Sequence, residues 1–383
     1  MRAASVSDYR ELARRRLPNI FFEYIDGGSY AEATLGRNVA DFEAIALRQR
    51  VMRDMSKLDM SVETLGQVLS MPVGLAPVGM AGMYARRGEV QAARAAKAAG
   101  LPFCLSAMGV CGAEEVAAGA GVAPWYQLYM LKDRGYVREL LAQVKALGCP
   151  ILVFTVDLPT PGARYRDVRS GFTGASGISS GVKTAWDGIT HPTWMWDVWA
   201  KGRPHILGSV APAVEGRHGR VTDFLSWIAR NFDRTVTWKD IDWVRETWGG
   251  PIVVKGVLDV DDAKNAVKAG AQGLIVSNHG GRQLDGVRSS ISALPAIAQA
   301  VGSDLEVYMD GGVRSGLDVL KALALGAKAC LIGRAWAYAL GAGGEAQVSK
   351  MLATLKSELA VAMILTGCNN LRDAGRELLD VDG

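Results

Sequence analysis

The sequence predicts a parallel (β/α)8 TIM barrel, an α/β fold, and three observations predict it. Short apolar runs alternate with helix-like stretches along most of the chain. The clearest helix-like stretches end at a glycine placed to take the left-handed stop conformation. Eight strand segments can be counted, the number that closes a barrel rather than an open sheet.

Taken in order, the strands centre near Gly74, Cys104, Tyr126, Leu152, Val253, Leu274, Val307 and Cys330. They lie about 20 to 35 residues apart, except for one gap of about 100 between the fourth and fifth. Gly88 to Ala99 reads as a helix stopped by Gly100, with Phe103-Cys104-Leu105 as the strand after it. Gly135 to Leu147 is a second helix; Gly148 stops it, and Ile151 to Val156 is its strand. Asp261 to Ala269, Gly270 and Gly273 to Val276 repeat the unit. So do a helix from the Ser315 cap to Leu325, Gly326, and the strand Lys328 to Ile332. Residues 1 to about 68 precede the barrel as an N-terminal helical extension, and a long insertion after strand four fills about 171–240. No low-complexity linker divides the chain, so 1–383 reads as one domain with the barrel at 69–383.

At 49% hydrophobic and 21% charged, the 383 residues have the balance of a soluble globular protein. The net charge of +4 is spread along the chain, so nothing suggests nucleic acid as a partner. The five cysteines (Cys104, Cys111, Cys149, Cys330 and Cys368) are odd in number and lack C-x-x-C spacing. That argues against a disulfide framework or a zinc site and for a reducing, cytoplasmic compartment. Met1 to Arg16 has no apolar core of signal-peptide length, and no run approaches the roughly 18 apolar residues of a spanning helix. No strand is followed by the G-x-G-x-x-G fingerprint of a nicotinamide enzyme.

The most informative stretch is Ser277-Asn278-His279-Gly280-Gly281-Arg282-Gln283-Leu284-Asp285-Gly286, just past the sixth strand. Histidine is a general base near neutral pH, and arginine is a fixed fork for a carboxylate. Taken alone, the pair also fits a surface turn. Barrel active sites lie at the C-terminal ends of strands, and here every strand delivers a polar or glycine terminus. The first ends at Pro77-Val78-Gly79, the second at Ser106, and the third at Gln127 and Tyr129. The fourth ends at Thr155 and Asp157, with Arg164 after it, and the fifth at Lys255. The seventh ends at Asp310-Gly311-Gly312-Val313-Arg314 and the eighth at Gly333-Arg334. These last two loops pair glycines with arginines and suit a phosphate; the alternative is two tight turns.

Lys255 closes an apolar strand and needs an anionic partner, which a flavin that becomes anionic on reduction would supply. Otherwise it is a snorkelling lysine. Ser106, Gln127 and Thr155 suit the polar edge of a flat heterocycle, or are satisfied core groups. Arg164 and Arg282 could hold a carboxylate from two sides, with Tyr24 and Tyr129 donating hydroxyls; the alternatives are surface ion pairs and a cover over the barrel. Residues 171–220 are rich in Gly, Ser and Pro, and eight of the ten tryptophans fall between 186 and 248. Trp186, Trp194, Trp196 and Trp199 beside Lys183, Lys201 and Arg203 suit a membrane–water interface. A lid or an oligomer contact that buries them is the other reading.

These segments resemble the FMN-dependent L-2-hydroxy acid oxidase and dehydrogenase family, nearest its bacterial quinone-linked, NAD-independent branch. The matching runs are Tyr24-Ile25-Asp26-Gly27-Gly28, Leu75-Ala76-Pro77-Val78-Gly79, Thr155-Val156-Asp157, Ser277 to Gln283, and Ile332-Gly333-Arg334. The resemblance implies an FMN enzyme that oxidises an L-2-hydroxy acid, foremost L-lactate to pyruvate. In it His279 takes the hydroxyl proton, a hydride passes to the flavin, and Asp157 stabilises the imidazolium. Arg164 and Arg282 grip the carboxylate with Tyr24 and Tyr129. Lys255 stands at the flavin N1/O2 edge, and Ser106, Gln127, Thr155, Ser277 and the backbone of residues 77–79 hold the ring. Asp310, Gly311, Gly312, Arg314, Gly333 and Arg334 hold ribityl and phosphate. No metal is implied. Gly79 stands where many oxidases of the family carry alanine, which favours a quinone or other non-oxygen acceptor over peroxide-forming oxidation. Met108 should line the pocket near the substrate side chain. A homotetramer on the cytoplasmic face of the inner membrane completes the expectation.

Overall fold

In the computed structural model, which describes residues 2–172, 187, 189–202 and 230–380, the apolar runs close into a ring of parallel strands. A short antiparallel hairpin comes first: β1 (Val62–Thr64) and β2 (Gln67–Leu69). The ring follows as β3 (Val73–Leu75), β4 (Cys104–Ser106), β5 (Trp125–Tyr129) and β6 (Leu152–Thr155). It continues with β7 (Ile252–Val257), β8 (Gly273–Val276), β9 (Glu306–Asp310) and β10 (Ala329–Ile332). The order is β3-β10-β9-β8-β7-β6-β5-β4, and a parallel bridge from Leu75 to Phe103 closes it. Each strand meets helices outside and side chains inside. Only Gly256 and Glu306 among the ring residues escape full burial, which is why these strands read as continuous apolar runs rather than alternating ones.

The glycine stops behave as expected: Gly100, Gly148, Gly270 and Gly326 all have positive φ. Ser315 caps the helix Gly316–Ala324 in a capping box with Asp318. Strand and helix ends shift by a residue or so, as at Ser106, which belongs to β4.

The region read as a helical extension contains three helices: α1 (Val6–Arg16), α2 (Asn19–Asp26) and α3 (Ala33–Glu43). It also contains β1, with β2 running on to Leu69, so the reading was incomplete. Leu65 and Gly66 both take positive φ, 45° and 73°, the geometry of a two-residue hairpin turn. The Thr64 hydroxyl reaches the Glu306 carboxylate and the Tyr308 hydroxyl at the start of β9. The hairpin thus caps the end of the barrel opposite the strand termini that carry the site. Three-residue strands carry too little periodicity to be seen in a sequence.

α1 packs on the helix Arg334–Gly343, and α2 lies across the helix Tyr165–Ser170. Buried Asp26 joins these elements, accepting from Arg10, from Arg166 at 2.8 Å and from the Tyr338 hydroxyl at 2.7 Å.

Of the tryptophan cluster, Trp186, Lys183 and Arg203 lie outside the described residues. The rest divides. Trp194 is buried, donates to the Met83 carbonyl at 2.8 Å and stacks on Phe21. Trp196 and Trp199 remain 65% and 46% exposed. Of the two readings of the cluster, exposed or buried, Trp194 takes the buried one, because its indole N–H finds the Met83 carbonyl.

Candidate active site

A cavity of about 540 Å³ opens at the C-terminal ends of the barrel strands. Its wall brings together Tyr24 from α2, Pro77, Val78 and Gly79 after β3, and Ser106 at the end of β4. Tyr129, Arg164, Lys255, His279 and Arg282 line it as well. Asp310, Gly311, Gly312, Arg314, Gly333 and Arg334 form the far end. Met108 is on the wall, as expected. Asp157, Gln127 and Ser277 stand one layer behind, bonded to residues that line it, and Thr155 stands behind Gln127.

His279 sits in a left-handed turn, φ 58°, an uncommon backbone for a non-glycine residue. Its N–H donates to Ser277 Oγ at 3.0 Å, and its Nδ1 lies 2.9 Å from Asp157 Oδ1. Burial pushes the imidazole below its usual range, and Lys255 and Arg164 add to that, against the pull of Asp157. Burial works to raise the Asp157 carboxyl, but His279 and Lys255 outweigh it and hold the group below the usual carboxylate range. The pair at neutral pH is a neutral imidazole donating Nδ1–H to an ionised carboxylate. Nε2 is then the basic atom, and no partner for it is found among the described residues.

The approach of Asp157 depends on Gly256. A β-carbon there would fall 2.6 Å from Asp157 Cβ and Cγ, and φ is 109°. The register of β7 against β8 shifts at the same point. The glycine that follows Lys255 is what lets the carboxylate reach the histidine.

Lys255 is buried and paired within the chain: Nζ lies 3.0 Å from Asp310 Oδ2 and donates to Ser277 Oγ at 2.9 Å. Burial alone would lower its pKa, but Asp310 and Asp157 outweigh it, so the ammonium stays charged. The anionic partner expected from a flavin is thus supplied in part by the protein. Ser106 donates to Gln127 at 2.9 Å, and Gln127 donates to Thr155 at 2.9 Å. This relay fixes Ser106 at the wall; Gln127 and Thr155 act through it rather than at the cavity. Tyr129 stays protonated, its pKa pushed up to about 12 chiefly by burial.

Arg282 donates Nη1 to the carbonyls of Tyr24 and Gly27 at 2.6 and 2.8 Å, and stacks 4.7 Å over the Tyr24 ring. Its Nη2 is enclosed without a partner. Arg164 donates to the Arg282 carbonyl at 3.3 Å, and burial with the nearby Arg282 charge lowers its pKa to about 10. Both guanidiniums line the cavity.

Arg334 departs from its expected role. Its side chain donates to the carbonyls of Ile25, Gly280 and Gly27 at 3.0, 2.8 and 2.7 Å, so it staples α2 to the His279 loop. An anion at that end would meet Arg314 and the N-terminus of the ten-residue helix Arg334–Gly343, whose first-turn N–H groups have no partner within the helix. Gly333 leaves open room there, the nearest atoms to an added β-carbon being 3.9 Å away. Asp310 Oδ1 is enclosed and unpartnered, an acceptor for hydroxyls. A phosphate with a polyhydroxylated tail fits this end, and a flat ring fits between Ser106, Lys255 and the backbone of residues 77–79.

Asp167, Phe172 and Phe232 are among the wall residues that escaped the sequence reading. Phe172 packs 4.7 Å from Tyr24, and Phe232 packs edge-on to Tyr129 at 5.5 Å. Asp167 follows Arg164 by three residues, the one signal that could have found it.

Compared with known proteins, residues 13–381 match the FMN-dependent dehydrogenase family. An L-lactate dehydrogenase of Haemophilus influenzae (strain PittEE) is 55% identical over 376 residues, covering 98% of each chain. One from Ectopseudomonas mendocina (strain ymp) is 54% identical over 373 residues, covering 97% of each. The solved structure of the monotopic membrane protein (S)-mandelate dehydrogenase superposes with a TM-score of 0.92 at 32% identity, over 99% of this chain and 100% of that one. A mandelate oxidase superposes at 0.83 with 36% identity, over 99% and 98%. The chain belongs to the FMN-dependent dehydrogenase family. It is an oxidoreductase, and FMN is the cofactor the phosphate and ring sites accommodate.

Proposed function

We propose that this chain oxidises L-lactate to pyruvate and passes the electrons through FMN to a quinone or another non-oxygen acceptor. One observation carries the reading: a neutral His279, oriented by Asp157, shares a cavity with two arginines placed for a carboxylate. The high identity to L-lactate dehydrogenases supports lactate as the acid. FMN, when bound, accepts the two electrons and the hydrogen of the substrate carbon. His279 Nε2 takes the hydroxyl proton, and Asp157 holds the tautomer before the transfer and the imidazolium charge after it. Arg164 and Arg282 orient the carboxylate, with the Tyr24 and Tyr129 hydroxyls beside it. Lys255 brings positive charge to the ring, while Ser106 and the backbone of Pro77, Val78 and Gly79 form its seat. Gln127, Thr155 and Ser277 keep Ser106 and Lys255 in place. Asp310, Gly311, Gly312, Arg314, Gly333 and the helix starting at Arg334 receive the tail. Residues 1–383 work as one catalytic unit.

A non-oxygen acceptor is favoured by Gly79, where a β-carbon would stand 3.2 Å from the Tyr24 hydroxyl and from Met108 Cβ. Contact with a membrane surface is supported by Trp196 and Trp199, by Ile189 at 66% exposure, and by Lys201 lying 5.1 Å over the Trp196 ring. No helix among the described residues is long and apolar enough to cross a membrane; the contact proposed is a peripheral one, on the cytoplasmic face of the inner membrane. Exposed Val361, Ile364 and Leu365 on the helix Glu345–Thr366 support self-association into a homotetramer, which light scattering would check.

Anaerobic mixing with L-lactate tests the central reading. Bleaching of the flavin band, with slow recolouring in air and fast recolouring with a quinone analogue, is expected. Fast recolouring in air would make the chain an oxidase, and no bleaching would rule out lactate.

A further inference from the structure

We propose that Asp167 makes the site select monocarboxylic over dicarboxylic 2-hydroxy acids. The inference rests on the reading that Arg164 and Arg282 receive the substrate carboxylate. Asp167 lies on the helix Tyr165–Ser170, lines the cavity and is buried. Its Oδ2 stands 3.9 Å from Arg164 Nη1, and among the described residues its Oδ1 is enclosed without a hydrogen-bond partner, as is Arg282 Nη2. Local structure does not account for the carboxylate: the bonds from Phe172 N–H and the Ser170 hydroxyl go to the Asp167 backbone carbonyl. A buried carboxylate with an unused oxygen is unfavourable unless nearby charge offsets it, and here the two guanidiniums offset part of the cost that burial imposes.

The charges of the cavity divide by end. Lys255 is neutralised by Asp310, Arg314 and Arg334 stand at the phosphate end, and the Asp157 carboxylate stands behind the neutral His279 ring that it holds. Where the substrate carboxylate is received, that leaves two guanidiniums and the Asp167 carboxylate, locally a single net positive charge. One carboxylate completes the balance. A second would meet Asp167 as an unpaired like charge in a poorly solvated space, which is strongly penalised. Without Asp167 the two arginines would suit a dianion.

The test compares kcat/KM for L-lactate and L-malate in the FMN-loaded enzyme, by flavin bleaching, with titration by oxalate as a binding readout. The unaltered enzyme should favour lactate strongly; equal use of malate would overturn the proposal. Asp167→Asn should raise the malate-to-lactate ratio and tighten oxalate by about tenfold or more, equivalent to about 1.4 kcal/mol. Asp167→Glu, which keeps the charge, should restore the preference. A merely structural role would lower both activities together and leave the ratio unmoved, which would also overturn it. If the unaltered enzyme is not bleached by lactate, the reading of the function has failed instead, and the two failures are told apart.

Discussion

His279 takes a backbone conformation that few non-glycine residues adopt, and two bonds hold it there, one from its N–H to Ser277 and one from its ring to Asp157. The strain is local and sits on the residue proposed as the base. His279→Gln should keep the FMN colour and slow bleaching by lactate about 10²–10⁴-fold, the share of a placed base; stopped-flow absorbance reads it, and fast bleaching would remove His279 from the mechanism. The pH dependence follows from the direction of its shift. Burial lowers the imidazole pKa below its ordinary 6.5, so the free base persists into mild acid. kcat/KM should be flat near pH 7 and fall only as pH drops through a value below 6.5. A fall starting above pH 7 would contradict that environment. Gly256→Ala tests the same pair from the other side. The added methyl meets Asp157 at 2.6 Å, so activity should drop by at least tenfold while FMN is retained. The sequence marked His279 and Arg282 because they follow a strand in a glycine turn. Asp167 carried no such mark, since its meaning lies in the two guanidiniums that the fold folds over it.

Among the elements, α2 and the helix Tyr165–Ser170 have the most to do with the substrate side, since one carries Tyr24 and the other Asp167 just after Arg164. Arg166 joins them. Its guanidinium pairs with Glu23, with Asp26 at 2.8 Å and with Glu32 at 3.6 Å, all from the extension. Arg166→Ala should leave the Asp26 carboxylate short of a partner, destabilise the protein by about 1–3 kcal/mol, and raise KM for lactate more than it lowers kcat. Equal changes in both would place the effect on the chemical step instead. The insertion is a second such element. Because Trp194 is bonded into the core while Trp196 and Trp199 are exposed, the Trp196→Ser/Trp199→Ser double variant should reduce sedimentation with anionic lipid vesicles and leave activity with a soluble dye intact. Unchanged sedimentation would remove these residues from any membrane contact. Trp194 shows where reading by composition stops: a tryptophan in a Gly- and Ser-rich stretch looks exposed until a carbonyl such as that of Met83 is in reach.

At the scale of the whole molecule, the ring of eight strands was legible because parallel barrel strands are buried on both faces and leave unbroken apolar runs, four of them preceded by a helix that ends at Gly100, Gly148, Gly270 or Gly326. The hairpin β1–β2 and the three-carbonyl staple of Arg334 were not, because both are defined by partners far away in sequence, Glu306 and Tyr308 for one and Ile25, Gly27 and Gly280 for the other. Those long-range ties also govern the response to acid. Burial works to raise the Asp26 carboxyl, but Arg10 and Tyr338 outweigh it and hold it far below its ordinary 3.8; Asp157 is lowered as well. A carboxyl depressed in the folded state stabilises it fully above the unfolded value and stops doing so as pH falls through the folded value. These two therefore act only below about pH 4. His279 is also depressed, so its contribution is complete above 6.5 and fades as pH falls toward its lower folded value. Asp167, raised mainly by burial, has the opposite sign, since its protonation favours the folded state. Urea midpoints of the FMN-loaded protein should thus decline gently below pH 6.5 and steeply only below about pH 4. In His279→Gln the gentle decline should vanish and the steep one remain. If the decline near pH 6 is the same in both proteins, a group other than His279 controls it. If the steep loss comes above pH 5, the buried carboxylates are not held as low as their partners imply, Arg10 and Tyr338 for Asp26 and His279 and Lys255 for Asp157.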